Sequence, residues 1–352
     1  MTGTAGEVVI GVDIGGTKTA AAVVSFDPMD SAASMGSFGP TAAPGGSGPG
    51  MVASNGVEPG AAAFPGGRIL RSARTPTPAA DGGAAVLEAA LRLAAAEVAW
   101  AQERGLRVTA CGVGSAGTIG DDGVVTHATD ALPGWRGTDL PAAFGDRLGV
   151  PVTVLNDVHA WALGESRFGA ARGSRLALVL TIGTGIGGAI VRDGHVLTGG
   201  TGTAGSLGHV PAALPPHVPA TRPCPCGRPG HLEAYASGPA ILSTYRQHGG
   251  TAHDLRDMAR DPGDELARDV IHEAALILGR TIGGAATLLD PDVIVLGGGV
   301  TALGDRLTAP LVQAARQEAL PGPDAVPIRT TALGRHGAVL GAAASTNRLQ
   351  TI

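Results

Sequence analysis

The chain has 352 residues, of which 44% are hydrophobic and 3% aromatic, so its length allows two domains and their cores must be mainly aliphatic. The net charge of −5, with no long run of one sign, argues against a nucleic acid or an anionic membrane as partner. No apolar run approaches about 20 residues and the N-terminus lacks the basic start of a secretory signal, so we expect a cytoplasmic protein without a membrane span.

The first half of the chain alternates between predicted strands and helices around one long insertion. An apolar run at Val8–Val12 and another at Ala20–Ser25 flank a glycine-rich turn, which predicts a strand, a tight turn and a returning strand. Residues 27–67 are rich in Gly, Pro, Ala and Ser, and they predict a flexible insertion because they cannot bury enough apolar surface to offset the cost of ordering them. Further strands are predicted at 69–75, 108–114 and 152–155, and helices at 83–104 and 158–168.

The second half begins with the same pattern. A strand at 176–182, a glycine-rich turn at 183–188 and a returning strand at 189–192 repeat the order strand, turn, strand. A loop-rich region at 199–230 follows. The remaining predicted elements are helices at 239–248 and 264–289, a strand at 293–296 that enters Gly297–Gly299, and a last helix from Gly337. Two related lobes that face each other across a cleft would produce this repeat.

The glycine-rich turns predict a nucleotide site. The runs 112–117 and 183–188 fit the glycine spacing of a dinucleotide-binding fingerprint, but neither opens the helix that this fingerprint needs. Asp13–Lys18 is not a P-loop, because Thr17 intrudes before the lysine. A glycine turn in a hairpin nevertheless exposes backbone N–H groups that can hold phosphate, and an aspartate in it can hold magnesium. A third glycine turn after a buried strand favours a nucleotide over simple β-turns.

Asn156 and Asp157 stand between a predicted strand and a predicted helix. A carboxylate in this position is aimed into the cleft, where it can accept the proton of an attacking hydroxyl. Asn156 offers a donor and an acceptor, which suits two neighbouring sugar hydroxyls. Both residue types are also common helix N-caps, and the two roles are compatible.

A histidine and cysteine set in the loop region has the spacing of a metal site: His209, Cys224, Cys226 and His231. Two thiolates and two imidazoles form a closed tetrahedral set, which predicts a structural rather than a catalytic zinc ion. The alternative is that the two cysteines are reduced surface thiols. They lie too close together in sequence for an ordinary disulfide framework.

Together these motifs resemble the ROK family of bacterial sugar kinases and sugar-responsive repressors, within the actin-like ATPase superfamily. The matching segments are Asp13–Lys18, Leu155–Val158, Thr181–Gly188, Ala204–His209, Cys224–Gly227, Glu233–Gly238 and Leu296–Val300. The resemblance implies an α/β protein with the two-lobed, ribonuclease H-like fold of the actin-like ATPases and an interlobe cleft. We expect residues 1–158 to form the N-terminal lobe, with 336–352 returning to it, and residues 159–335 to form a C-terminal lobe that carries the zinc loop.

The resemblance also implies a glucokinase-like activity: ATP-dependent phosphorylation of a hexose at the 6-hydroxyl, with Mg²⁺, a structural Zn²⁺ and a homodimer. Asp157 would be the general base, and the sugar would contact Asn156, Asp157, His209 and Glu233. His209 would serve as a zinc ligand or as a sugar contact. The phosphates and magnesium would be held by Asp13, Gly15, Gly16, Thr17, Lys18, Thr181, Gly183, Thr184 and Gly185, and the adenosine pocket would be lined by Gly297, Gly298 and Gly299.

Three positions depart from the family pattern. His231 stands where the family normally has a cysteine, and zinc accepts either ligand. Ser206 stands where the kinases usually have a glutamate that binds sugar hydroxyls, and a serine cannot replace a bidentate acceptor. Thr129 or Asp130 would fill the role of an asparagine that usually precedes the sequence Leu-Pro-Gly-Trp.

The change at Ser206 leaves two interpretations. The pocket is enlarged for an N-acylated hexosamine, or glucose is handled poorly and the protein is a catalytically weak sugar-binding or regulatory member. The family's transcriptional regulators carry an additional N-terminal helix-turn-helix. The first strand here is predicted from Val8, which leaves no room for one, so we expect a kinase.

Overall fold

The computed structural model describes residues 6–27, 61–129 and 132–346, which form an α/β fold with two main sheets. The strands are β1 (Glu7–Ile14), β2 (Lys18–Phe26), β3 (Ala62–Phe64), β4 (Gly67–Pro76), β5 (Arg107–Ser115), β6 (Thr118–Ile119), β7 (Val125–His127), β8 (Val152–Asn156), β9 (Leu176–Ile182), β10 (Ile186–Arg192), β11 (His195–Leu197), β12 (Val293–Gly297) and β13 (Ile328–Thr330). The helices are α1 (Gly83–Glu103), α2 (Leu140–Leu148), α3 (Asp157–Phe168), α4 (Glu233–Ala236), α5 (Gly238–Gln247), α6 (Leu255–Met258), α7 (Glu265–Leu289), α8 (Asp305–Glu318) and α9 (Gly337–Ala344).

The first sheet has the order β3-β4-β2-β1-β5-β8. Its strands β1, β5 and β8 are parallel, whereas β2 and β4 join as antiparallel neighbours. Alternate residues of β1 enter two different cores, because side chains of a strand point to opposite faces. Ile10 and Val12 pack on the side of α1, while Val9 packs on the side of α9. The sheet is therefore covered on both faces, and Asp13 lies on the face of Val9.

The second sheet has the order β11-β10-β9-β12-β13. The hairpin of β9 and β10 is antiparallel, and β12 runs parallel to β9. One face of this sheet packs on α7 and, beyond it, α8, and the other face packs on α3 through Trp161 and Ala162. Helix α3 also contacts α9, so it lies between the two sheets. Asp157 begins this helix and is thereby placed where the sheets meet.

Glycines allow α9 to approach the first sheet and α3 at backbone distance. A Cβ atom on Gly112 would lie 1.7 Å from the carbonyl oxygen of Ala342, and one on Gly341 would lie 1.6 Å from the carbonyl oxygen of Ala160. No side chain fits at either place. The close contacts fix α9 against β5 and α3. The lobe boundaries predicted at 158 and 335 stay a prediction.

Most predicted elements agree with the structure, and two predictions are corrected. The second glycine turn ends sooner than expected, because β10 already begins at Ile186 and pairs with Ile182. The end of the predicted insertion is ordered, since β3 pairs with β4; the rest of that prediction, residues 28–60, lies outside the described residues. Helices α2, α4, α6 and α8 and the short strands β3, β6, β7, β11 and β13 were not predicted. Within the described parts of the chain, no helix combines the length and the apolar character needed to cross a bilayer.

Candidate active site

The first glycine turn joins β1 to β2 and is braced by Thr77. The amide of Gly15 donates to the carbonyl oxygen of Lys18 at 3.0 Å, which closes the turn. The Thr77 hydroxyl donates to the carbonyl oxygen of Gly15 at 2.8 Å, and its amide donates to the carbonyl oxygen of Thr17 at 3.1 Å. Within the part of the chain that the structure describes, no atom lies within 4 Å of where a Cβ atom on Gly16 would stand. The turn is thus held on one side and open on the other, as a backbone phosphate site requires.

Asp13 and Asp157 border the same cavity of about 220 Å³, together with Thr181 and Gly298. Desolvation by the enclosing protein raises the pKa of Asp13 to about 7; the charge of Asp157 adds to this and Arg74 opposes it. Desolvation also raises the pKa of Asp157, against hydrogen bonds from the Val158 amide and the Asn156 side chain. Two carboxylates that share a desolvated site favour a divalent cation or a proton between them.

The Asp157 carboxylate is oriented by its neighbours. Its Oδ1 accepts from the Val158 amide at 2.9 Å and from Asn156 Nδ2 at 3.0 Å. Asn156 is also the N-cap of α3, because its Oδ1 accepts from the amides of Val158 and His159 at 2.9 and 3.2 Å. Its Nδ2 donates in addition to the carbonyl oxygen of Gly117 at 2.9 Å. The N-cap role that the sequence suggested is therefore present, and contact with a sugar stays a prediction for Asn156.

The second and third glycine turns pack against each other beside this cavity. Gly183 donates to the carbonyl oxygen of Gly185 at 2.8 Å, which closes the second turn. Gly298 has a φ of 90°, and a Cβ atom on it would lie 2.3 Å from the carbonyl oxygen of Ile182. A Cβ atom on Gly297 would lie 2.4 Å from the ring of Trp161. Glycine is therefore required for this packing, and Thr184 and Gly299 are left exposed at the rim.

A larger cavity of about 500 Å³ adjoins the carboxylates on the other side of Val158. It is lined by the predicted site residues Asn156, Ser206, His209 and Cys226 and by side chains with hydroxyl or imidazole groups, namely Thr118, His127, Thr129, His159 and Thr203. Among the described residues that line it, none has a charged carboxylate or a guanidinium group. Asp130 follows Thr129 and lies outside the described residues. The cavity thus offers hydroxyl-binding groups next to Asp157.

Glu233 lies outside that cavity. Its Oε2 accepts from the Ile186 amide at 2.7 Å, and it borders a separate cavity of about 390 Å³. Ile186 itself lines the larger cavity. Glu233 therefore contacts a residue of the cavity wall without lining the cavity itself. Its Oε1 is 3.9 Å from Cys224 Sγ. Glu233 therefore connects the second glycine turn to the cysteine loop, and direct sugar contact stays a prediction for it.

The predicted zinc ligands converge. The ligand atoms of His209, Cys224, Cys226 and His231 all lie within 4.8 Å of one another. His209 Nδ1 is 3.5 Å from Cys224 Sγ, and His231 Nδ1 is 3.2 Å from Cys226 Sγ. Bonds of about 2.0 Å to nitrogen and 2.3 Å to sulfur separate the ligand atoms of a tetrahedral zinc by roughly 3.5 Å, so the donor set fits this ion. Burial raises the pKa of Cys224 to about 11, and a bound cation would be needed to keep it a thiolate.

The pKa of Asp13 predicts how stability depends on pH. In the unfolded chain this aspartate titrates near 3.8, and in the folded protein it titrates at about 7. Between these values the folded state binds more protons than the unfolded state, so the free energy of unfolding falls as pH rises through this window. Asp13→Asn removes the titration. We expect its melting temperature, measured without magnesium, to exceed that of the wild type by about 2 °C or more at pH 8, with the difference shrinking toward pH 5.

Scanning calorimetry over this pH range checks the expectation, with Asp146→Asn as the matched control because Asp146 is exposed. Magnesium should stabilise the wild type at pH 8 more than it stabilises Asp13→Asn. A variant that melts below the wild type at pH 8 would show that the carboxylate is not desolvated.

Sequence comparison decides the family. The profile of the ROK family matches residues 61–348. The chain belongs to the ROK family. It is 37% identical over 249 residues to a glucokinase of Halalkalibacterium halodurans, a match that covers 65% of this chain and 73% of the relative. It is 34% identical over 217 residues to a glucokinase of Thermotoga maritima, covering 57% of this chain and 67% of the relative.

Solved structures of the family have the same architecture. The ROK hexokinase from Thermus thermophilus is 33% identical, with a TM-score of 0.71 and coverage of 96% of both chains. A ROK family glucokinase from Streptomyces griseus, solved with glucose and AMPPNP, is 27% identical with a TM-score of 0.71, covering 96% of this chain and 98% of that one. These relatives confirm the predicted two-lobed actin-like ATPase fold.

Three residues that shape the cleft were not singled out from the sequence: Thr77, Trp161 and Arg335. Trp161 had a local signal, because it lies four residues after Asp157 and hence on the same side of α3. Thr77 and Arg335 had none. They reach the site only through the pairing of β4 with β2 and through the return of the chain before α9.

Proposed function

We propose that this protein is an ATP-dependent hexose kinase. The observation that carries the proposal is the convergence of Asp13 and Asp157, with Thr181 and Gly298, on one cavity beside a second cavity rich in hydroxyl-binding groups. A phosphoryl donor and a sugar in these two places would meet at Asp157. Relatives named glucokinase, 28–37% identical to this chain, support the same activity.

The residues divide the work of phosphoryl transfer between them. The three glycine turns would hold the phosphates and the adenosine of ATP, and Asp13 would hold magnesium. Bound magnesium neutralises charge on the phosphates. Asp157 would accept the proton of the sugar hydroxyl while the new bond from oxygen to phosphorus forms and the bond from the γ-phosphorus to the ADP oxygen breaks. The transfer depends on positioning, which the hydrogen bonds of Asn156 to Asp157 and to α3 supply.

Zinc would act on the shape of the sugar cavity. Its ligands His209 and Cys226 line that cavity, and the same loop leads to Glu233, which holds the Ile186 amide. One ion would therefore fix two parts of the wall. The homodimer and the cytoplasmic location stay predictions.

A second candidate substrate is an N-acylated hexosamine. Ser206 lines the sugar cavity, where its short side chain leaves space, and no described residue in the lining contributes a carboxylate. A relative named N-acetylmannosamine kinase from Escherichia coli O157:H7 is 30% identical over 293 residues, covering 83% of this chain and 82% of the relative. The weak-binder hypothesis predicts, by contrast, that no sugar is phosphorylated at a useful rate.

Formation of ADP in the presence of different sugars tests the proposal. The panel contains glucose, mannose, allose, fructose, N-acetylglucosamine and N-acetylmannosamine, with ATP, magnesium and zinc present. We expect turnover that depends on one of these sugars. Ser206→Glu should shift the ratio of kcat/KM toward glucose and away from N-acylated sugars, by about tenfold, because the carboxylate accepts hydroxyl hydrogen bonds and fills the space. Turnover on none of the sugars would refute the kinase.

A further inference from the structure

A row of three paired residues crosses the first sheet from Asp13 to Arg74. Asp13 on β1 pairs with Ala20 on β2, and Ala20 pairs with Arg74 on β4. Paired residues point to the same face of a sheet, so the Arg74 side chain shares its face with Asp13 and has only a methyl group between them. Lys18 lies two residues before Ala20 and points to this face as well. Two cationic side chains thus stand beside the turn that is open at Gly16.

Arg335 approaches the same place from the other side. It lies in a short turn, Gly334–His336, directly before α9, and it borders the cavity of Asp13 and Asp157. Its Nε donates to His336 Nε2 at 3.1 Å. Burial, Arg335 and Arg74 all lower the pKa of His336, so the imidazole is neutral and can accept this hydrogen bond. His336 also contacts the ring of Phe64, with 6.0 Å between ring centroids, and this holds the direction of Arg335.

Among the described residues, three cationic side chains, Lys18, Arg74 and Arg335, stand at this place beside two carboxylates. Neither Arg74 nor Arg335 forms a salt bridge within the parts of the chain that the structure describes. The carboxylates that face them are Asp13 and Asp157, which would be engaged with magnesium and the sugar proton. Guanidinium groups match phosphate oxygens in geometry and hold them with charge-assisted hydrogen bonds. The arrangement is therefore suited to a linear polyanion that enters along the first glycine turn.

We propose that Arg74 and Arg335, together with Lys18, form a binding site for the linear phosphate chain of the phosphoryl donor. The inference rests on the proposed kinase function and adds to it the side chains that hold the donor. The chemistry of a linear phosphate chain is shared by the triphosphate of ATP and by free inorganic polyphosphate. With tripolyphosphate as donor, the terminal phosphorus would be transferred to the sugar oxygen, diphosphate would leave, and the sugar proton would pass to Asp157.

The test compares Arg74→Gln and Arg335→Gln with the control Arg68→Gln, an exposed arginine on the same strand β4 as Arg74. Steady-state kinetics give KM for ATP, KM for the sugar and kcat, and calorimetry gives the affinity for tripolyphosphate. We expect each of the first two changes to raise KM for ATP and to weaken tripolyphosphate binding by about tenfold, with kcat and KM for the sugar within about twofold. Both effects should diminish at high salt, and Arg68→Gln should match the wild type.

The source of the phosphate chain is decided by supplying tripolyphosphate without nucleotide. Formation of sugar phosphate would assign the site to free polyphosphate as well as ATP, whereas competitive inhibition against ATP would assign it to ATP alone; either result supports the site. Unchanged KM for ATP and unchanged tripolyphosphate affinity in both variants would overturn it while leaving the kinase function intact. If the wild type turns over no sugar, tripolyphosphate binding still tests the site. Arg74→Gln and Arg335→Gln that bind tripolyphosphate as tightly as the control Arg68→Gln would overturn it.

Discussion

Asp157→Asn is expected to lower kcat by about 10³-fold while the dissociation constant of the sugar changes by less than about threefold. Both donors that orient the carboxylate, the Val158 amide and Asn156 Nδ2, contact Oδ1. An asparagine can keep its oxygen in that place, so the local structure should survive and only the proton acceptor is lost. Coupled ADP assays and calorimetric sugar binding, run on the same preparation, check the two parts of this expectation.

Asp146→Asn is the matched control, since Asp146 is an exposed aspartate on α2 and lines neither of the two cavities of the site. It should keep the wild-type kcat. A kcat for Asp157→Asn within tenfold of the wild type would mean that another group accepts the proton. Loss of sugar binding in Asp157→Asn, with kcat at saturation preserved, would mean that this residue binds the substrate without acting as the base.

Loss of the metal is expected to have the second large effect. The purified protein should contain about one zinc per chain, and Cys226→Ala should contain almost none. Cys226 is exposed, so without a metal its replacement would cost little stability. Because the wild type would be stabilised by its zinc, we expect Cys226→Ala to melt several degrees lower. We also expect its KM for the sugar to rise about tenfold, because His209 and Cys226 line the sugar cavity.

KM for ATP provides the internal comparison in this experiment, since the carboxylate cavity is lined by none of the four ligands. Cys111→Ala is the control substitution: this cysteine is buried in the core of the first sheet and should leave the zinc content at one. Metal analysis by mass spectrometry that finds much less than one zinc in the wild type would refute the site. A Cys226→Ala variant with wild-type melting temperature would refute its structural role.

The sequence predicted those strands and helices that are specified by their own residues rather than by contacts distant in sequence. β9 was predicted at its observed bounds, and α7 differs from its prediction by one residue at the start. Helix α2 also had local signals, an Asp139 cap and a left-handed Gly149 at its end, so it was predictable. Helix α8 was not, because Pro310 lies inside it. Its packing on α7, where Gly279 leaves room for the carbonyl oxygen of Leu311, stabilises the helix through contacts distant in sequence.

The distinction between local sequence signals and contacts distant in sequence applies to the site as well. Glycine turns and an aspartate at the end of a strand identified the cleft, because each of these features consists of residues adjacent in sequence. The position of Glu233 behind the Ile186 amide depends on the course of the whole cysteine loop and had no signal in the residues around it. Thr77 and Arg74 come to the site only because β4 pairs with β2 in one register.

The glycine contacts of α9 also affect how the chain folds during its synthesis. Gly11 and Gly112 leave slots on one face of the first sheet, and the backbone of α9, more than 200 residues further along the chain, fills them. During synthesis the part of that apolar face that lies under α9 stays uncovered until residues 337–344 have left the ribosome. The packing of the first sheet is therefore completed last, although its strands are synthesised first. Until then the nascent chain exposes an apolar surface that chaperones can bind or that can aggregate.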